Sequence, residues 1–319
     1  MKVCLISFDY WDFDQHIIKE LKQREGVEAA HIDISKFSYK YASPLHRVAN
    51  TFNKVFLKKN IKKIKRQEHV LEQLKALGMQ DIILVIRPDL LDRDTHILIK
   101  QQTKKYLAYL YDSTKRFPVL PRLENIFDAI YSFDEDDVAK YSFTHITNYI
   151  YLPKHEIKPS AAFDYRVFIV MSADERLPLL NTIAKELNKL KVSFKFVVRV
   201  TKKTDPENNP GIEYSEKEIR PEELPGYLEK AEMFLDIVRL GHNGLSFRVF
   251  EALAHQKKLI TTNASIKNYE FYNPNNILVI DPDNLAISAS FFETPYNPLP
   301  EELYNKYTIK HFVDTIFFN

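Results

Sequence analysis

The chain has 319 residues, of which 45% are hydrophobic and 28% charged, and its formal net charge is +2. That length holds two domains with separate cores, the composition is that of an ordinary globular protein, and a charge this close to zero singles out no partner class. One cysteine, Cys4, excludes an intrachain disulfide and fits a reducing compartment. No run reaches the roughly 18 apolar residues of a membrane span, and the first apolar stretch ends at Asp9, too short for a secretory signal, so a cytoplasmic location is expected.

Apolar runs and helical periodicity alternate along the chain. Residues 3–8 predict a strand, 13–24 a helix and 27–34 a second strand. Residues 81–86 predict a strand buried on both faces, followed by a helix over 92–102. Strands follow over 106–111 and 129–133, then a short helix over 134–141. The polar segment 153–162, with two prolines, reads as a linker. Beyond it come a strand over 166–171, a helix over 177–190, a strand over 193–200, and a polar loop around 205–211. A helix over 221–231 leads to a strand over 233–238, a glycine-containing loop, a helix over 246–255, and strands over 258–262 and 277–280. Two helical segments, 300–307 and 310–318, close the chain. This βα alternation predicts an α/β protein of two Rossmann-like, doubly wound domains facing across a cleft. The expected division is 1–155 for the first domain and 163–305 for the second, which holds the glycine-containing loop. A terminal helix over 306–319 would pack back on the first domain.

The most informative segment is Arg239-Leu-Gly-His-Asn-Gly-Leu-Ser-Phe-Arg-Val-Phe-Glu-Ala-Leu-Ala254. A glycine-containing loop between a strand and a helix N-terminus is suited to anions, because backbone N–H groups and the helix dipole point at it. Ser246 is the expected N-cap. Val249, Phe250 and Leu253 then share the core face, while Arg248 and Glu251 share another, separated by about 4.5 Å of helical rise. The spacing fits a diphosphate at the amides of residues 244–247 and at Arg248, with a ribose near Glu251. It equally fits a plain i,i+3 ion pair.

Gly244-Leu-Ser-Phe-Arg-Val-Phe-Glu251-Ala-Leu-Ala, with Lys257-Lys-Leu-Ile-Thr-Thr-Asn263 after it, resembles the donor-binding segment of GT-B glycosyltransferases, nearest the lipopolysaccharide and capsular polysaccharide branch. Glu251 matches the second glutamate of that family's Glu-x7-Glu pattern, which binds the donor ribose. Asn243 stands where the first would be, so a retaining mechanism is not implied. The resemblance implies a nucleoside-diphosphate-sugar donor, of the UDP type, bound by Asn243, Gly244, Leu245, Ser246, Arg248 and Glu251. Basic groups at the strand ends, Arg176, Arg199 and Arg239, would neutralise the diphosphate without a metal or other cofactor. Thr262, with Thr261 and Asn263, would line the pocket.

In the first half, the loop Asp9-Tyr-Trp-Asp-Phe13 lacks a dinucleotide fingerprint but carries the only tryptophan. Tyr10 and Trp11, with Ser113, are candidate acceptor contacts. Asp9, Asp12 and Asp112 are candidate bases for a hydroxyl proton, and spacing does not choose among them. The alternatives are that Asp12 caps the following helix and that residues 111–113 form a turn. No Cys/His spacing matches a metal site. Lys54, Lys58, Lys59, Lys62, Lys63, Lys65 and Arg66 crowd one helix-like stretch. They read either as a surface for anionic lipid headgroups or as a solvated charged face. No nucleic-acid-binding motif is present.

The expected function is transfer of a sugar from a nucleotide donor to a hydroxyl of a surface polysaccharide or lipid-linked glycan, by a cytoplasmic enzyme peripheral to the membrane. A sugar-nucleotide epimerase and a non-catalytic nucleotide-sugar- or glycan-binding subunit are the alternatives.

Overall fold

The computed structural model describes residues 1–9, 11–41, 43, 50–51, 60–110, 112–119, 123, 125–201, 209, 211–239 and 241–319. The chain forms two units. The first is Met1–Ile146 with Val313–Asn319, and the second is Thr147–Phe312.

Unit 1 is built from β1 (Lys2–Ser7), α1 (Asp14–Lys22), β2 (Glu28–Asp33), α2 (Ile61–Leu77), β3 (Gln80–Ile86), α3 (Arg93–Lys100), β4 (Thr103–Leu110), β5 (Ala129–Ser132), α4 (Glu135–Tyr141) and β6 (Thr144–His145). All pairs in its sheet are parallel, in the order β2-β1-β3-β4-β5-β6. The strand order reverses between β1 and β3, and ligands of such sheets bind beyond the strand C-termini at that reversal. The central strands are apolar at consecutive positions because helices cover both faces: Val3 to Ile6 and Ile83 to Ile86 are wholly buried. Burial also pushes the Cys4 thiol up to about 12, so it packs as an apolar side chain. Residues 61–66 of the basic stretch open a longer helix. From Ile61, α2 continues past Val70 and Leu74, which enter the core, and ends at Gly78, whose positive φ of 72° closes it.

Unit 2 contains β7 (Tyr165–Ser172), α5 (Leu177–Lys189), β8 (Phe194–Arg199), β9 (Ile212–Ser215), α6 (Leu224–Lys230), β10 (Ala231–Asp236), α7 (Phe247–Ala254), β11 (Lys258–Thr261), β12 (Ile277–Val279) and α8 (Glu301–Asn305). The last helix, α9 (Ile309–Phe317), starts in unit 2 and ends among residues of unit 1. The sheet is again all parallel, in the order β12-β11-β10-β7-β8-β9, with its reversal between β7 and β10. Strand alternation splits the core in two. Val167, Ile169 and Met171 of β7 pack with Leu180, Ile183 and Leu187 of α5. Phe168, on the other face, packs with Phe234 of β10 and with Val249, Phe250 and Leu253 of α7. Each fully buried phenylalanine contributes on the order of 2–3 kcal/mol.

Two short strands, β6 and β9, go unseen in the sequence reading, because two to four residues at a sheet edge carry too few alternations to register. The segment expected to be a free linker is tied to unit 2. Ile150 N–H donates to Tyr307 O at 2.7 Å, His155 N–H donates to Ala254 O at 2.8 Å, and the ring of His155 stacks on His255 at 3.9 Å. These residues lie in the second compact unit, which begins at Thr147. Among the described residues, no helix is long and apolar enough to cross a membrane.

Candidate functional site

In unit 2 the glycine loop follows β10, at the reversal of strand order. Asp236, the last residue of β10, is buried and organises its surroundings. One carboxylate oxygen accepts from Ser246 Oγ at 2.8 Å, the other from Thr261 Oγ1 at 2.9 Å. Ser246 is the N-cap of α7 by position, with extended backbone, but its hydroxyl goes to Asp236 and not to a helix amide. The hydroxyl thus donates to the buried carboxylate, and no helix amide donates to its oxygen.

Three successive loop carbonyls are held from outside. Asn243 O accepts from Ser265 Oγ at 2.6 Å, Gly244 O from Asn263 Nδ2 at 3.0 Å, and Leu245 O from Asn148 Nδ2 at 2.9 Å. Asn263 is itself fixed by Thr261, and its Oδ1 accepts from the amide and hydroxyl of Ser265. Thr262, another predicted pocket residue, accepts from Val238 N–H at 2.9 Å, so it supports the strand end. Among the described residues, nothing accepts from the Gly244, Leu245 or Ser246 amide. The loop is thus anchored through its carbonyls while these amides stay uncommitted at the mouth of α7.

Across the reversal, Arg176 grips Asp174 through Nε at 2.9 Å and Nη2 at 2.6 Å, and donates from Nη1 to Ile237 O at 2.9 Å. Arg239 reaches the same carboxylate at 3.6 Å. Burial works to raise the Asp174 carboxyl, and the hydrogen bonds and charges of Arg176 and Arg239 overcome it and hold it low. Two predicted arginines are therefore brought together around one acid. Arg199 is not with them: it ends β8 and pairs with Glu218 at 2.7 Å.

Arg248 and Glu251 form the i,i+3 pair, Nη1 to Oε2 at 2.8 Å, with Glu251 buried and Arg248 partly buried. Tyr151 donates its hydroxyl to Glu251 Oε1 at 2.5 Å. The Arg248 guanidinium lies 5.6 Å from the Phe168 ring centroid and 5.5 Å from that of Phe234, inside the apolar cluster. Arg248, expected at the diphosphate, here faces Glu251 and these two rings. The core face of α7 is wide enough to take in Arg248, and Glu251 compensates the buried charge. Nothing in the local sequence pointed to Tyr151 or Asn148, which approach from about 100 residues upstream.

In unit 1 the loop after β1 behaves differently from expectation. Asp9, not Asp12, caps α1: its carboxylate accepts from the amides of Asp14 at 3.1 Å and Gln15 at 2.9 Å. Asp12 is exposed, with φ of 58°, in the left-handed region. Burial, with the nearby charges of Asp12 and Asp33, pushes Asp9 up to about 6 even against its two amide bonds. Asp14, fully enclosed beside Asp9, is pushed up to about 8 and is an acid that sequence reasoning missed. Trp11 is exposed, and Tyr10 lies outside the described residues. Asp112 is buried and bound by Arg116 at 2.8 Å. Ser113 is buried in a turn, accepting at its carbonyl from the amides of Arg116 and Phe117. A turn therefore starts at Ser113 and runs on to Phe117.

Lys54, Lys58 and Lys59 also lie outside the described residues. Of the described cations, Lys63 pairs with Asp92, Lys65 with Glu68 at 2.7 Å, and Arg66 donates to Leu90 O at 2.8 Å.

No family model and no curated protein sequence matches the chain. Solved structures do. The UDP-GlcNAc 2-epimerase of Methanocaldococcus jannaschii is 10% identical over all of both chains, with a TM-score of 0.51. The fold is GT-B. An MnaA–UDP complex from S. aureus is 14% identical, covers 99% of this chain and 95% of its own, and has a TM-score of 0.51. MurG of Acinetobacter baumannii is 10% identical over 99% of each chain, with a TM-score of 0.50. At such identities the likeness is one of fold.

Proposed function

We propose that the protein is a nucleotide-sugar enzyme, and specifically a glycosyltransferase. The donor is of the UDP type, and its diphosphate rests on the loop of residues 243–246. The observation that carries this reading is the anchoring of three consecutive loop carbonyls by Ser265, Asn263 and Asn148. That arrangement supports a cradle of fixed amides at a helix N-terminus, where negative charge is favoured. The Arg176–Asp174–Arg239 group brings two guanidiniums to one carboxylate across the strand reversal. The ribose is assigned to Glu251, whose oxygens each keep a further lone pair beside Tyr151 and Arg248.

In the proposed reaction an acceptor hydroxyl oxygen attacks the anomeric carbon, and the bond from that carbon to the diphosphate breaks. The electron pair leaves with UDP, whose charge the amides and arginines stabilise, so the reading needs no metal. The hydroxyl proton goes to Asp12. Of the three candidate acids, Asp9 is committed to capping α1 and Asp112 to Arg116, which leaves Asp12 as the exposed carboxylate. The acceptor is a surface polysaccharide or lipid-linked glycan, presented at the inner membrane face.

The test is donor turnover with and without a glycan acceptor extract. Sugar transfer with UDP release that depends on acceptor supports the proposal. A changed sugar without acceptor would make the protein an epimerase, and UDP-sugar binding with no turnover would make it a binding subunit.

A further inference from the structure

Unit 1 holds a second concave surface that the donor site does not use. A cavity of about 450 Å³ opens where β1 and β2 end and α2 begins. That size falls within the roughly 300–1,000 Å³ range of small-molecule sites. Its position beside β1, next to the reversal of strand order, is where sheets of this kind bind ligands.

Three rings and three cations line it: Phe8, Phe37 and Tyr39, with Lys62, Lys63 and Arg66. Among the described residues, no acid does. The acids closest to Arg66 in effect, Asp89 and Asp92, are already held. Arg87 clamps Asp89 with two bonds of 2.8 Å, and Lys63 and Gln67 take Asp92. Lys63 is thereby neutralised, and the excess charge belongs to Lys62 and Arg66. Lys62 is exposed, with its ammonium 5.2 Å from the Tyr41 ring centroid. Arg66 donates once, from Nη2 to Leu90 O, and its buried Nε has no acceptor among the described residues. A buried donor without a partner is uncommon and marks a place where an acceptor belongs. The rings offer flat apolar faces of the kind a sugar's C–H face covers, and guanidinium geometry suits a carboxylate or phosphate.

We propose that this cavity binds an anionic sugar residue of the acceptor, one bearing a carboxylate or a phosphate. The inference rests on the reading of unit 1 as the acceptor-binding half of a glycosyltransferase. It deepens that reading by naming the acceptor's chemistry.

The test is calorimetry on the full chain with glucuronic acid, glucose 1-phosphate, glucose and inorganic phosphate, alongside sedimentation with phosphatidylglycerol vesicles. Wild type should bind glucuronic acid or glucose 1-phosphate at least tenfold more tightly than glucose or phosphate alone. Arg66→Met should remove that preference. Lys62→Met, at an exposed position that leaves the fold intact, should weaken it severalfold. Equal binding of glucose, equal binding of inorganic phosphate, or unchanged affinity in both variants would overturn the proposal. So would binding confined to the vesicles, which would assign the cations to lipid headgroups. UDP titrated into the same samples separates the two ideas. Retained UDP binding with no acidic-sugar binding refutes the acceptor inference alone, and lost UDP binding in wild type refutes the donor site.

Discussion

The sharpest consequence of the geometry concerns Glu251, because its proposed ligand role is entangled with a structural one. Its side chain is 3% exposed and that of Arg248 is 13% exposed, with 2.8 Å between the charges. Removing one member of such a buried pair leaves the other uncompensated, which costs about 3–5 kcal/mol. Glu251→Ala should therefore lower the melting temperature of unit 2 by about 6–20 °C, at roughly 2–4 °C per kcal/mol for a unit of this size. Tyr151→Phe removes only the hydroxyl bond to a charged acceptor and should cost about 1.5–3 kcal/mol. The double variant Arg248→Met/Glu251→Leu replaces the pair by apolar groups of similar volume. It should unfold within about 1 kcal/mol of wild type or above it, since buried pairs exchanged as a unit are often neutral or stabilising. That stable double variant isolates the ligand role. If Glu251 accepts the ribose hydroxyls, UDP affinity measured by calorimetry should fall about 10- to 100-fold, the equivalent of about 1.5–3 kcal/mol. Urea melts supply the stability half of the comparison. A Glu251→Ala protein as stable as wild type would refute the buried-pair argument, and a double variant with wild-type UDP affinity would refute the ribose assignment.

Other predictions follow from the remaining sites. Asn263→Ala removes the donor to Gly244 O and loosens the loop, so UDP affinity should drop about tenfold in calorimetry; unchanged affinity would show that the loop does not depend on this anchor. Asp12→Asn should abolish most acceptor-dependent turnover with no change in melting temperature, since Asp12 is exposed. Asp9→Ala should instead destabilise unit 1 by about 1 kcal/mol through loss of the α1 cap. His255 is held down to about 3 by burial, with the charges of His155, Lys257, Arg248 and Lys158 adding to it. The unfolded chain then binds the extra proton between about pH 3 and pH 6.5. Stability from this group is complete above pH 6.5 and is lost as pH falls towards 3, by an amount on the order of 3–5 kcal/mol at about 1.4 kcal/mol per unit. Melts across that window should steepen less with acid in His255→Phe; an identical profile would refute the assignment.

The sequence carries the fold because each doubly wound layer writes its own periodicity. Runs such as 82–86 and 167–171 are apolar throughout, as a parallel strand covered on both faces requires. The loop of residues 241–246 is legible for the same local reason, as a strand, a glycine and a helix start in succession. The parts that set its chemistry are not local. Asn148 and Tyr151 come from about 100 residues upstream, at the very start of unit 2, and no pattern within the glycine segment announces them. The direction of a side chain is also invisible from spacing alone. Arg248 and Glu251 share a face whether that face meets solvent or core, and the phenylalanines of β7 and β10 decide the matter by leaving room for a guanidinium between them. The same holds for Asp9 and Asp12: both can cap, and the backbone turn at Asp12 settles which carboxylate reaches the α1 amides. What this changes is the division of labour expected at the donor site. The groups that read as ligands, Arg248 and Glu251, carry a structural load. The groups that read as background, Asn263, Ser265 and Asn148, fix the amides on which the proposed diphosphate would rest.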